Sequence, residues 1–313
     1  MTDPRFDVLC IGNAIVDVIS DASDDFITGQ GLEKGSMRLI DEAEAVRLYG
    51  EMGPGREVSG GSAGNTAAGL AALGIRTGFI GQVASDELGD IYRHDIEAQG
   101  VDFLVPARGD VGATARCLIL VTPDAQRTMN TFLGAAQMLK TSGVDMDAVA
   151  GSGITYLEGY LWDPEEPRAA MEAAIEAAHD AGRRIAFTLS DSFCISRHKA
   201  DFVRLVEEKK IDILFANEAE IKEMSDERDF DAAVAAFANK VPTLVVTRSE
   251  KGAVAFRGNE RASVLAEPIE RLVDTTGAGD LFAAGFLAGE ARGLSLEKSL
   301  KLGAIAAAEV IQH

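Results

Sequence analysis

The sequence predicts an α/β protein: a doubly wound, mostly parallel sheet with helices on both faces, plus a small β-sheet lid. Three observations carry this expectation. Short apolar runs alternate with helix-patterned stretches along most of the chain, the rhythm of βα units. The composition is 47% hydrophobic but only 6% aromatic, with 32 glycines, which suits close helix-on-sheet packing better than a β-sandwich. A hairpin-like stretch of different texture interrupts the alternation near residue 113, as an insertion on a parallel sheet would.

Taken in order, residues 6–11 (FDVLCI) form an apolar run ending at Gly12, a good first buried strand. A helix follows Ser62 and runs to Gly74, and residues 77–83 read as the next strand. Ser85-Asp86-Glu87-Leu88 opens a helix reaching Glu97, and residues 101–105 are short and extended. Residues 113–121 and 126–133 form the hairpin around Pro123 and Asp124. Residues 34–40 are a second extended candidate, and the two together would make the lid sheet. The alternation then resumes. Strands are expected over 154–157, 184–189, 211–216 and 244–247, the last paired with 253–257. Helices are expected over 164–181, 230–239, 280–291 and 296–311. The whole reads as one domain, 1–313, with the lid built from insertions at about 13–40 and 106–134.

The formal net charge of −20 excludes several partners. No basic stripe exists to displace counterions from nucleic acid, and an anionic membrane would repel this surface. No apolar run approaches the roughly 20 residues of a membrane span, and the first residues lack a basic-then-apolar leader pattern. A cytoplasmic protein is expected. Cys10, Cys117 and Cys194 are widely spaced in apolar or mixed runs and read as buried thiols. His94, His179, His198 and His313 have no ligand spacing and read as surface residues.

The strongest chemical signal is residues 274–286, DTTGAGDLFAAGF. The N–H groups of Gly277, Ala278 and Gly279 would point out of a helix N-terminus and form an anion hole for a phosphoryl group in transit. Asp280, in the first turn beside it, is placed to accept a hydroxyl proton. A glycine-rich loop with an Asp cap is the plain alternative. No GK[ST] follows, so this is no Walker A loop. The second signal is residues 59–70, SGGSAGNTAAGL, where Gly60-Gly61 allows close backbone approach or a hinge and Asn65 faces the site from the first helical turn. It does not match GxGxxG. Close helix–sheet packing is its alternative.

GGSAGN and DTTGAGD, in this order and separation, resemble the ribokinase-like (PfkB) family of sugar and nucleoside kinases, over essentially the whole chain. The resemblance implies an ATP-dependent kinase with Asp280 as catalytic base and Gly277 and Gly279 stabilising the transferring group. The family's NxxE element corresponds to Asn217-Glu218-Ala219-Glu220, implying that Glu220 helps organise Mg²⁺, largely through water, with a helix cap as the alternative. The nucleotide stretch T-x-G-x-x-G corresponds to Thr247-Arg248-Ser249-Glu250-Lys251-Gly252, with Ser249 in place of the middle glycine; Thr276 joins this nucleotide set. Arg248 and Lys251 either add positive charge there or are solvated surface cations.

Several features resemble the adenosine kinases of that family. Asp17, in GNAIVD, matches the carboxylate that holds two vicinal sugar hydroxyls, and Asn13 sits near the nucleoside. Phe193, in TLSDSF, and Tyr160, in EGY, match aromatic walls of the base pocket, or else are ordinary packing residues. From the lid, Ala115, Met129, Thr131 and Leu133 would contribute pocket wall, and Arg127 would reach the phosphates or the substrate. The resemblance thus implies phosphorylation of a ribonucleoside 5′-hydroxyl, adenosine foremost, with a sugar kinase as the alternative. It also leaves open a monovalent cation and a monomeric or homodimeric state.

Overall fold

The computed structural model describes residues 4–124 and 126–312; His313 lies outside them. The strands are β1 (Val8–Ile11), β2 (Ile15–Asp21), β3 (Met37–Leu39), β4 (Arg56–Gly60), β5 (Thr77–Ile80), β6 (Val101–Phe103), β7 (Ala115–Val121), β8 (Arg127–Phe132), β9 (Ile154–Glu158), β10 (Arg184–Thr188), β11 (Ile213–Asn217), β12 (Thr243–Thr247), β13 (Ala253–Arg257) and β14 (Glu260–Val264). The α-helices are α1 (Asp24–Gly29), α2 (Glu42–Glu51), α3 (Ser62–Ala72), α4 (Glu87–Ala98), α5 (Met146–Ala150), α6 (Glu165–Asp180), α7 (Ser192–Glu207), α8 (Glu218–Ser225), α9 (Phe230–Ala238), α10 (Ala278–Ala291) and α11 (Leu296–Val310).

Nine strands form the main sheet in the order β14-β13-β12-β11-β10-β9-β1-β5-β6. From β12 to β6 every pairing is parallel; β13 and β14 close the other edge antiparallel. The sheet is covered on both faces, which is why its central strands are largely buried and mostly apolar. In β1, Leu9 and Ile11 enter a core shared with Trp162, Ile175 and Phe202, while Val8 and Cys10 enter the opposite core with Phe79, Phe282 and Phe286. All three cysteines are buried free thiols.

The second sheet runs β3-β8-β7-β2-β4. Its alternation sorts residues by face. Val16, Val18, Leu118 and Leu120 are buried in one core cluster with Ile27 of α1 and Leu48 of α2. Asp17, Ile15 and Ile19 alternate with them and point the other way. The expected hairpin is β7–β8, and the expected extended segment 34–40 narrows to β3. Strand β4 also joins this sheet, although it lies outside the expected insertion 13–40.

The chain enters the second sheet just past β1 and returns from it through β4 into α3. Those two crossings, together with the carboxyl ends of β9, β10, β11 and β12, lie on one edge of the main sheet. The strand order reverses between β1 and β9, the place where ligands bind in open α/β sheets. No helix among the described residues is long and apolar enough to cross a membrane.

Candidate active site

Asp280 occupies the first turn of α10, whose N-cap is Gly277 at φ 76°, ψ −3°. An L-residue is strained at that angle, so glycine is the natural occupant. The cap carries no side-chain bond. The first-turn N–H groups of Gly279 and Asp280 have no partner within a helix that is only beginning. A Cβ on Gly279 would meet nothing within 4 Å, so the backbone there opens onto free space. This is a ready anion cradle at the positive end of a helix dipole.

The two oxygens of the Asp280 carboxylate are oriented from α3. Ser62 Oγ donates to Oδ1 at 2.7 Å, and Asn65 Nδ2 donates to Oδ2 at 3.0 Å. Thr66 Oγ1 donates to the Asp280 carbonyl at 3.2 Å. Burial pushes the Asp280 carboxyl up to about 6, against the lowering effect of the Ser62 and Asn65 hydrogen bonds. The carboxylate is thereby poised near neutrality.

Gly61 sits at φ 81°, and a Cβ there would strike the Asn13 carbonyl. A Cβ on Gly60 would overlap the Asp17 carboxylate. The two glycines thus let the return crossing pass directly over the entry crossing. No protein donor is hydrogen-bonded to the Asp17 carboxylate among the described residues. Burial pushes its carboxyl up to about 7; nearby Arg127 opposes the shift and Asp280 adds to it.

Strand register lines Asp17 up with further residues. Asp17 lies beside Cys117, Cys117 beside Thr131, and Thr131 beside Leu39. Thr131 Oγ1 donates to Cys117 Sγ at 3.3 Å, so the row shares one face. By the same parity Ala115, Met129 and Met37 belong to it. Met37 and Leu39 are exposed, at 45% and 51%, an apolar pair left open on the face that carries Asp17. Leu133 follows β8 at the start of a short 3₁₀ turn and is half-buried.

Glu158 is the residue that sequence reasoning missed. It ends β9, is fully buried, and gathers both crossings. Its Oε1 accepts from Asn13 N–H and Asn13 Nδ2, both at 2.7 Å, and its Oε2 accepts from Ala63 N–H at 2.7 Å. Burial raises its carboxyl to about 7 despite those donors, with Asp280 adding to the rise. The only sequence signal was an acidic residue closing a fully buried, mostly apolar strand. Ser62, Asp274, Met37 and Leu39 were likewise not picked out.

Tyr160 lies on a 3₁₀ turn just past β9, half-buried; its N–H donates to Ser190 Oγ at 3.2 Å and its hydroxyl to Ser190 O at 3.3 Å. Ser190, past β10, holds an unusual φ of 72°. Phe193, in the first turn of α7, is 60% exposed, with the Arg197 guanidinium 3.9 Å from its ring centroid.

Asn217 caps α8 in a capping box. Its Oδ1 accepts from Glu220 N–H at 2.8 Å, while its own N–H and Nδ2 donate to the Glu220 carboxylate at 2.9 and 2.6 Å. Burial raises the Glu220 carboxyl to about 7. Thr247, ending β12, lies beside Asn217 in register. Ser249 adopts φ 50°, the backbone conformation a glycine favours, and Gly252 adopts φ 87°, where a Cβ would strike Val264 O. Arg248 is not a free surface cation: it pairs with Glu218 at 2.9 Å and stacks 3.7 Å from the Phe230 ring. Lys251 approaches the same carboxylate at 3.9 Å.

Thr276 donates through its N–H and Oγ1 to Asp274 Oδ1, at 3.0 and 2.9 Å. The other Asp274 oxygen takes Arg127 at 2.7 Å, so Arg127 ties the second sheet to the glycine loop. The histidine expectation needs correcting. His94 is exposed, but His179 and His198 are half-buried against Asp212 and Asp163. Among the described residues no group of three or more His, Cys, Asp or Glu side chains could hold a metal.

The profile of the pfkB family carbohydrate kinases matches residues 6–313. An adenosine kinase from Sinorhizobium meliloti is 49% identical, with a TM-score of 0.92 over 99% of this chain and 94% of that one. A probable sugar kinase from Rhizobium etli CFN 42 gives the same identity, score and coverage. The adenosine kinase of Saccharomyces cerevisiae is 26% identical over 100% of this chain and 96% of its own.

Proposed function

The chain belongs to the pfkB family of carbohydrate kinases, phosphotransferases to an alcohol acceptor, and we propose that its acceptor is the 5′-hydroxyl of a ribonucleoside, adenosine foremost. The observation that carries the reading is the pair of carboxylates from different sheets. Asp280 is held by Ser62 and Asn65 at an open helix N-terminus, and Asp17 is close enough to couple to it and lacks a protein donor.

Asp17 receives the two vicinal ribose hydroxyls, one on each oxygen. That places the 5′-hydroxyl toward Asp280, which takes its proton as the oxygen attacks the γ-phosphorus of ATP. The bond to the β–γ bridging oxygen breaks, its electron pair leaves with ADP, and the nucleoside monophosphate forms. The N–H groups at Gly277, Gly279 and Asp280 hold the equatorial oxygens of the group in transit; the expected third donor, Ala278 N–H, is instead taken by the Thr275 carbonyl at 3.2 Å. Thr247, Arg248, Ser249, Gly252 and Thr276 bound the nucleotide. Mg²⁺ brought in with ATP would supply positive charge against the phosphate oxygens, with Asn217 and Glu220 the residues placed to hold it. Glu220, with both oxygens taken up by Asn217, suits a hydrated ion held through water better than direct coordination, and Asn217 stands exposed in front of it.

Tyr160 and Phe193 offer aromatic surface for the base at the ends of neighbouring strands. Met129, Thr131 and Leu133, with Met37 and Leu39, form a wall from the second sheet; Ala115, expected there, is fully buried behind it. That sheet acts as a lid, and its closure excludes water from the transfer.

A sugar acceptor is the second reading. It is favoured by the polar floor of Asn13 on buried Glu158, and by a probable sugar kinase at the same 49% identity. ATP-dependent phosphorylation across adenosine, guanosine, inosine, ribose and fructose decides between them. Adenosine turnover well above that of either sugar is expected; rapid turnover of a free sugar with none of adenosine overturns the nucleoside assignment.

A further inference from the structure

Arg197 lies one helical turn beyond Phe193 in α7, and its guanidinium is committed on every side. Nε and Nη2 donate to the two oxygens of Asp163 at 2.9 and 2.6 Å. Nη1 donates to the Phe193 carbonyl at 3.1 Å. The guanidinium itself lies 3.9 Å from the Phe193 ring centroid. Asp163 directly follows the 3₁₀ turn Gly159–Trp162 that carries Tyr160. The His198 imidazole contacts the same carboxylate, so Asp163 is held from two positions of α7.

An isolated surface ion pair contributes little, because two flexible side chains must be ordered in water. This one differs in geometry. A bidentate fork, a backbone bond and a stacked ring converge on one planar group, a combination lysine cannot reproduce. Phe193 is 60% exposed and would otherwise have little to fix its rotamer. A cation occupying one face leaves the other face as the one presented. On the other wall, Tyr160 is tied to Ser190, itself three residues before Phe193. The two aromatic segments are therefore stitched twice, 160 to 190 and 163 to 197.

We propose that Arg197 is a positioning residue for nucleobase recognition: its fork on Asp163 sets the spacing between the Tyr160 and Phe193 segments, and its stacking holds the Phe193 ring with its open face toward the base. This rests on the ribonucleoside reading. The groups that touch phosphate are not involved, so the effect falls on acceptor binding.

The test is steady-state kinetics with adenosine and ATP on wild type, Arg197→Met, Arg197→Lys, Phe193→Leu and the double variant Phe193→Leu/Arg197→Met. Arg197→Met is expected to raise KM for adenosine about five- to tenfold, with kcat within about twofold and KM for ATP unchanged. Arg197→Lys, which keeps the charge but not the planar fork, should behave nearly as Arg197→Met does. In the Phe193→Leu background the Arg197 substitution should have a clearly smaller effect than in wild type, since its stacking acts through that ring and only the spacing set by Asp163 remains to be lost. An unchanged KM in both Arg197 variants, or effects that multiply in the double variant, overturns the positioning role while leaving the nucleoside reading intact. Loss of kcat together with KM for both substrates marks a merely structural contact and also overturns it. Wild type that phosphorylates sugars and no nucleoside removes the reading and the inference with it.

Discussion

On the proposed reading Asp280 is the base, and the two side chains that hold its carboxylate, Ser62 and Asn65, set how it titrates. Its carboxyl lies at about 6 because burial outweighs the Ser62 and Asn65 hydrogen bonds. A general base works only when deprotonated, so kcat should rise with pH through about 6 and level off above it. Ser62→Ala removes a donor that favours the charged form, so the same rise should move to higher pH. A pH–kcat series on the two proteins checks this; an unmoved profile would mean Ser62 does not tune the base. At this scale the sequence was most legible where residues sit together. Asp280 follows its glycines, and Asn65 follows Gly60-Gly61, so local order revealed both. Glu158 was hidden because it has no local pattern: its partners Asn13 and Ala63 lie 145 and 95 residues away and meet it only through the strand order. Phe193 was legible as an aromatic but not as an exposed one, since exposure depends on where α7 begins.

The elements that matter most are the first two chain crossings between the sheets, β1 to β2 and β4 to α3, both fastened to Glu158. Its fully buried carboxyl lies at about 7 in the folded protein, above the 4.5 of an ordinary glutamate. A folded-state value raised in this way means the folded protein holds the proton more tightly than the unfolded chain. The resulting stability is present in full below about 4.5 and is lost as pH rises through about 7. The ligand-free protein should therefore melt at lower temperature at pH 8 than at pH 5. Glu158→Gln should show a shallower slope and a lower Tm throughout, because an amide nitrogen facing buried N–H donors leaves one unsatisfied, a cost of about 1–3 kcal/mol. Thermal melts across that range settle it, and a slope equal to wild type would place the titrating group elsewhere. Among elements, the buried parallel strands were legible because their runs are short and mostly apolar, unbroken in β1. Strands β2 and β4 were not, because only one of their faces is covered and polar residues interrupt them. Helix α7 was also missed, since its apolar stripe is narrow and only five of its residues are buried.

For the molecule as a whole, a net charge of −20 must still accommodate a polyanionic nucleotide. On the proposed reading the site meets this locally rather than globally, with helix N-terminal N–H groups and a small number of cations held in place by carboxylates. Arg127 on Asp274 and Arg248 on Glu218 are such cations, each fixed before any ligand arrives. The alternation of strand and helix made the class of fold legible from sequence. Strand order was not legible, and it is strand order that brings β1, β9, β10, β11 and β12 to one edge. The second sheet was legible as its hairpin and as the segment that holds β3, while β2 and β4 were not recognised as its strands.

The decisive measurement is adenosine monophosphate formed from adenosine and ATP by wild type and by Asp280→Asn, with adenosine binding measured alongside. Wild type should form the product, and Asp280→Asn should lose roughly 10²–10⁴-fold in kcat while binding adenosine nearly as well. Activity surviving within a few-fold in Asp280→Asn would contradict its role as the base, and absence of product from wild type would contradict the nucleoside acceptor.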